Sequence, residues 1–198
     1  HYYLVPGVIV TIMTMIGALL TSLVMAREYE RGTLESLFVT PVGSGEILTA
    51  KAATNFLLGM VSLAISMIFA AFVFDIPIRG SLTLLLAVSA LFLIVALGLG
   101  LVISTATKNQ FLACQFAIMG TFMPALMLSG FLYDILNMPP AVRALTYMIP
   151  ARYYVTLLQT LFLAGDIPSV IIPCCITLGV FAVVLMGIAR LKAPKSLE

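Results

Sequence analysis

The chain is 198 residues long, 62% hydrophobic and 9% charged, with a formal net charge of +2. Soluble domains run at roughly 45–50% apolar and about 25% charged, so this composition excludes both a soluble globular domain and a disordered segment. The near balance of charge excludes a nucleic-acid partner, and what remains is an integral protein of a lipid bilayer.

A helix rises about 1.5 Å per residue, so crossing about 30 Å of hydrocarbon takes roughly 20 apolar residues. Cutting the chain at its charges leaves five uncharged runs of that length, at about 4–26, 52–74, 81–107, 111–133 and 167–189. Their hydrophobicity is continuous, not alternating, which selects helices over a barrel. The predicted fold is all-α, one transmembrane domain over 1–198 with five membrane helices. His1 stands where Met would open a chain, and the expectation is a piece of something longer.

The first run carries small residues at Ala18, Ser22 and Ala26, spaced for close packing against another helix. The loop after it, 27–46, is the most polar part of the chain, and Glu28, Glu30, Glu35 and Glu46 all lie there. Leu34, Leu37 and Phe38 follow i, i+3, i+4 spacing and would share one face of a short helix. Arg31 and Glu35, four apart, would pair on the other face. Pro41 stops that helix, and Gly43-Ser44-Gly45 turns the chain back to the membrane. Surface helices that lie in headgroups are rich in Lys and Arg; this loop has more acids than bases. The charge favours an element that docks on a soluble partner.

The second run shows a narrow stripe of Asn55, Gly59, Ser62 and Ser66. Asn55, Ser62 and Ser66 are candidates for a substrate path, because polar groups at depth often face a cavity. Tight helix packing uses the same residue types and is the favoured reading. The third run repeats small residues at Ala96, Gly100 and Ser104. In the fourth, Pro124 with Gly120 and Gly130 predicts a kink. The uncharged stretch Tyr153–Gly165, among Pro139, Pro140, Pro150 and Pro168, is too short to cross. The segment 134–166 is therefore expected to be a partly buried, re-entrant hairpin before the last span. Cys114, Cys174 and Cys175 sit in apolar runs as packing residues. No metal-ligand spacing, catalytic set or phosphate-binding loop is visible.

Arg27, Arg31, Lys51, Lys108, Arg190, Lys192 and Lys195 fall on one side of the spans, and Arg79, Arg143 and Arg152 on the other. The basic excess predicts that the first side is cytoplasmic, with the amino terminus of this chain periplasmic and its carboxyl terminus cytoplasmic.

Arg27-Glu28-x-Glu30-x-Gly32-Thr33-x-Glu35-x-Leu37-x-x-x-Pro41, then Glu46-Ile47-Leu48 and Lys51, resembles the cytoplasmic signature of ABC-2 type exporter permeases. Leu128-Ser129-Gly130-Phe131 with Met138-Pro139, and Ile149-Pro150-Ala151-Arg152-Tyr153-Tyr154 through Gly165, resemble two further segments of that family. The resemblance implies a bacterial inner-membrane permease of the drug-efflux-like branch, without the first of six helices and the external domain that many relatives insert after it. It also implies two partners: a second permease subunit and an ATP-binding-cassette ATPase that carries the Mg-ATP. No cofactor and no enzymatic step would belong to this chain. The 27–41 loop would be the coupling helix, with Leu34, Leu37 and Phe38 as its buried knob. Glu28, Glu30, Arg31 and Glu35 would orient it, and Gly32 would permit close backbone approach. The competing readings are an accessory membrane protein without transport and an ion-coupled carrier or channel. An ion-coupled device usually keeps a carboxylate within the membrane, and none of the five runs has one.

Overall fold

The computed structural model describes residues 4–32, 44–72, 79–133 and 135–192. Every regular element among these residues is helical, and five helices are long and apolar enough to cross a membrane. Helix α1 is α-helical over Leu4–Thr14, π-helical over Met15–Leu20 and α-helical again over Thr21–Glu30. Helix α2 is Ser44–Phe72 and α3 is Leu82–Thr107. Helix α4, Gln110–Leu128, contains a π stretch at Ile118–Phe122. Two shorter helices follow: α5, Pro140–Thr146, and α6, α-helical over Pro150–Gln159 and π-helical over Thr160–Ala164. Helix α7, Pro168–Lys192, is last.

Four boundaries differ from the expected ones. Helix α1 continues past Ala26 to Glu30, because Arg27, Glu28, Tyr29 and Glu30 contain no helix breaker. Charge marks where a helix leaves the hydrocarbon, not where it ends. Helix α2 begins at Ser44, so Ser44 and Gly45 are helical instead of forming a turn. Helix α4 stops at Leu128, short of Tyr133, as the chain bends through Ser129 and Gly130, which has φ +87°. The last helix extends from Ala189 to Lys192 by the same logic as α1.

Helix α3 is the axis of the bundle: Leu85, Val88, Phe92, Leu93, Val95 and Leu97 are buried in the main core. Its small residues do what their spacing predicts. A Cβ on Gly100 would lie 2.7 Å from the Ala18 carbonyl oxygen and 2.9 Å from Thr21 Cβ, and one on Gly17 would strike Ala96. The backbones of α1 and α3 are therefore in close contact, the packing that replaces hydrophobic drive between helices in lipid. Large side chains such as Leu57, Leu58, Val61, Ile68 and Phe72 on α2 are exposed on the outside of the bundle.

The predicted kink at Pro124 takes the form of the π stretch just before it. Proline has no N–H for the preceding turn and its ring crowds that turn's carbonyl. A widened turn relieves both, and the Thr121 hydroxyl bonds back to the Ala117 carbonyl within it. The predicted hairpin is α5 followed by α6, each opened by a proline, which costs nothing in a first helical turn. Helix α6 is buried along Tyr154, Val155, Leu157, Leu158, Leu161 and Phe162. Tyr154 stacks on Phe92 with ring centroids 4.1 Å apart. The π stretch at the end of α6 leaves the Leu161 carbonyl to accept from Gly80 N–H at 2.8 Å, while Asp166 Oδ1 accepts from Ser81 N–H at 3.0 Å. These two bonds sew the α2–α3 connection to the hairpin.

Candidate functional site

At the opposite end of the bundle, the residues that carry most of the basic charge come together. Met25 of α1, Ala52 of α2, Leu101 of α3 and Ala189 of α7 form a small buried cluster there, with Tyr29 packed against it. This apolar floor fixes the last turn of α1, and the acids of that turn are fastened to two neighbours. Glu28 forms an ion pair with Lys51 in the second turn of α2. Glu30 Oε2 accepts a 2.9 Å hydrogen bond from the backbone N–H of Gln110, the first residue of α4. Arg27 and Arg31 are exposed on the same turn.

Helix α1 then ends by a recognisable geometry. Arg31 N–H bonds to the Arg27 carbonyl at 3.1 Å, and Gly32 adopts φ +65°, the left-handed conformation that closes many helices and that glycine adopts without strain. The glycine expected to permit close backbone approach is, in the fold, the stop of α1. Arg27, Glu28, Glu30 and Arg31, expected within a loop helix, instead belong to the end of α1. The rest of the expected coupling residues, Thr33, Leu34, Glu35, Leu37, Phe38 and Pro41, lie outside the described residues, as does the Arg31–Glu35 pair.

The α3–α4 connection that receives Glu30 is tight. Lys108 closes α3 at φ +49°, and Asn109 caps α4 by accepting from Leu112 N–H at 3.1 Å. Gln110 and Asn109 had no place in the sequence reading. The part of Gln110 depends on a contact across 80 positions of the chain, which no local spacing encodes, whereas Asn109 immediately before an apolar run is a local N-cap signal.

The polar stripe of α2 divides. Asn55 is buried and its Nδ2 donates to Thr21 Oγ1 at 3.0 Å, joining α2 to α1. A Cβ on Gly59 would meet Leu93 of α3. Further along, Ser62 and Ser66 border a cleft of about 330 Å³ between α1 and α2, otherwise lined by apolar side chains such as Val8, Ile9, Ile65 and Phe69. A smaller cavity of about 100 Å³ lies among Thr14, Phe92, Ala96, Thr121 and Ala151. The three cysteines are free thiols, and no metal-binding cluster occurs among the described residues.

The sequence of the ABC-2 type transporter family matches residues 1–163 of this chain. The probable multidrug ABC transporter permease YbhS of Escherichia coli K12 is 47% identical over 198 residues, covering 100% of this chain and 52% of its own length. The probable multidrug ABC transporter permease YbhR, also of Escherichia coli K12, is 32% identical over 165 residues, 82% of this chain and 44% of its own length. The inner membrane transport permease YhhJ, also of Escherichia coli K12, is 28% identical over 190 residues, 96% of this chain and 50% of its own length. The chain spans about half the length of these curated relatives. With five membrane helices, a fastened charged turn at the end of the first, and this match over most of its length, the chain is a multi-pass membrane protein that belongs to the ABC-2 type transporter family.

Proposed function

We propose that the chain is the transmembrane part of an ABC exporter permease, which forms the translocation path and takes its motion from a separate ATPase through the 27–41 segment. It would sit in the bacterial inner membrane with that segment and its carboxyl terminus in the cytoplasm, paired with a second permease subunit. ATP, with its magnesium, is bound and hydrolysed on the ATPase, and this chain performs no chemistry.

The observation that carries the reading is the fastened end of α1. A segment that transmits force must not bend at its root. Here the root is an unbroken helix anchored to α2 by Glu28–Lys51 and to α4 by Glu30–Gln110. Two relatives are named multidrug permeases, and the apolar α1–α2 cleft with Ser62 and Ser66 is the place we assign to part of a path for greasy compounds. The Leu37→Asp variant of the full-length permease tests the proposal. It inserts normally and its complex still hydrolyses ATP, but export of a fluorescent dye such as ethidium falls to background. Undiminished export by that variant contradicts the reading.

A further inference from the structure

Helices α1 and α4 pack side by side, with Thr21–Glu30 lying against Gln110–Ala117. In the middle of the membrane their π stretches, Met15–Leu20 and Ile118–Phe122, pack on one another. At the basic end they are joined by the Glu30 carboxylate and the Gln110 N–H. An ionised acceptor at a helix amino terminus is favoured twice, because it satisfies an otherwise orphaned donor and faces the positive end of the helix dipole. The amino-terminal turn of α4 therefore has two caps: Asn109 on Leu112 N–H from its own chain segment, and Glu30 on Gln110 N–H from α1.

We propose that Glu30 is a positioning residue which makes α1 and α4 one moving unit, so that displacement of the 27–41 segment is delivered to α4 as well as to α2. This inference rests on the exporter reading and adds a residue pair to it. Helix α4 suits the part of the driven member. It follows α3 across the tight Lys108–Asn109 turn, its outward face of Phe116, Met119, Met123 and Met127 is exposed, and its π stretch supplies a place to bend. Without the Glu30 bond, the root of the segment keeps its tie to Lys51 and α2 and its packing beside α4, but loses the hydrogen bond that fixes it to the first residue of α4.

The geometry supplies a clean probe. Gln110 is the first residue of α4, a position where proline fits a helix, and Asn109 before it is extended with φ −134° and ψ 130°, the conformation a following proline requires. Gln110→Pro thus deletes the N–H that Glu30 uses while leaving the helix and Glu30 in place. Glu30→Ala deletes the acceptor, and Glu30→Gln keeps a neutral one. In the full-length permease assembled with its ATPase, dye exported per ATP hydrolysed is expected to fall about threefold in Gln110→Pro and in Glu30→Ala, the size of effect fitting one exposed, charge-assisted hydrogen bond. The double variant is expected to be no worse than either single one, and Glu30→Gln to retain part of the ratio. A merely structural role would lower expression and thermal stability and leave the ratio alone. Unchanged ratios in both single variants, alongside a collapsed ratio in Leu37→Asp, overturn the Glu30 proposal and leave the exporter reading standing. Unchanged ratios in all three variants overturn both.

Discussion

The Tyr154 hydroxyl donates a 2.8 Å hydrogen bond to Ser89 Oγ, a buried contact between helix α6 and the central helix α3. It is the polar part of an otherwise apolar joint, since the Tyr154 ring lies flat against Phe92. Both hydroxyls are removed from solvent, so each depends on the other. The bond gives α6 a fixed depth and rotation, which apolar packing alone specifies poorly.

Tyr154→Phe leaves the stack intact and strands the Ser89 hydroxyl, which then has only its own helix's carbonyls to turn to. The expected cost is about 1 kcal/mol, the usual scale of a hydrogen bond between membrane helices. Tyr154→Ala removes the ring as well and is expected to cost about 3–5 kcal/mol. Thermal unfolding in detergent measures both, and equal losses in the two variants contradict the assignment of separate ring and hydroxyl contributions.

Close packing of α1 on α3 makes Gly100 intolerant of any side chain. A methyl group there would lie 2.7 Å from the Ala18 carbonyl oxygen, which belongs to backbone and cannot rotate away. Gly100→Ala is expected to lower stability by about 1–3 kcal/mol, as overpacking does. Gly179 on α7 has nothing within 4 Å of the equivalent position, so Gly179→Ala is the control and is expected to be neutral or slightly stabilising, as alanine favours a helix. Similar melting temperatures for the two variants contradict the packing described.

The Glu28–Lys51 pair predicts a rescue. Glu28→Lys places two cations against one another at the root of the loop, and the expected result is lower export per ATP together with a less stable basic end. Combining it with Lys51→Glu restores an opposite pair in the reverse order, and partial recovery is expected. No recovery in the double variant, with both proteins folded, contradicts a direct pairing. The pair is partly exposed, with 32% and 18% of the Lys51 and Glu28 side chains accessible. High salt is therefore expected to shrink the difference between variant and parent.

Gly32 carries a separate expectation. Its φ of +65° is strained for any residue with a Cβ, so Gly32→Ala is expected to lengthen or redirect the end of α1 at a cost of about 1 kcal/mol. Asparagine tolerates that conformation better, so Gly32→Asn is expected to disturb export less than Gly32→Ala. The reverse order contradicts the role of Gly32 as the stop of α1.

How much of this was legible beforehand follows from the range of each interaction. Runs of twenty uncharged residues are a local property, and the five membrane helices and the proline-framed hairpin could be read directly. The small-residue faces at Ala18–Ser22 and Ala96–Gly100 were equally readable, because one helical period defines them. Helix ends were harder. Arg27, Glu28 and Glu30 are all compatible with a helix, so the charge at Arg27 marked the hydrocarbon boundary and not the end of α1. The π stretches were invisible to a 3.6-residue period. The contacts from Glu30 to Gln110 and from Tyr154 to Ser89 join positions 80 and 65 residues apart, and only the folded bundle brings them together.

The central claim is that the segment after α1 engages an ATPase in the cytoplasm, and site-directed crosslinking tests it most directly. A Leu37→Cys variant of the full-length permease, treated in inverted membrane vesicles with a short bifunctional thiol reagent, is expected to yield one adduct containing the ATPase, and the adduct is expected to block ATP-driven dye uptake. Labelling of the same cysteine by an impermeant maleimide from the periplasmic side of intact cells, with no ATPase adduct in vesicles, contradicts the account.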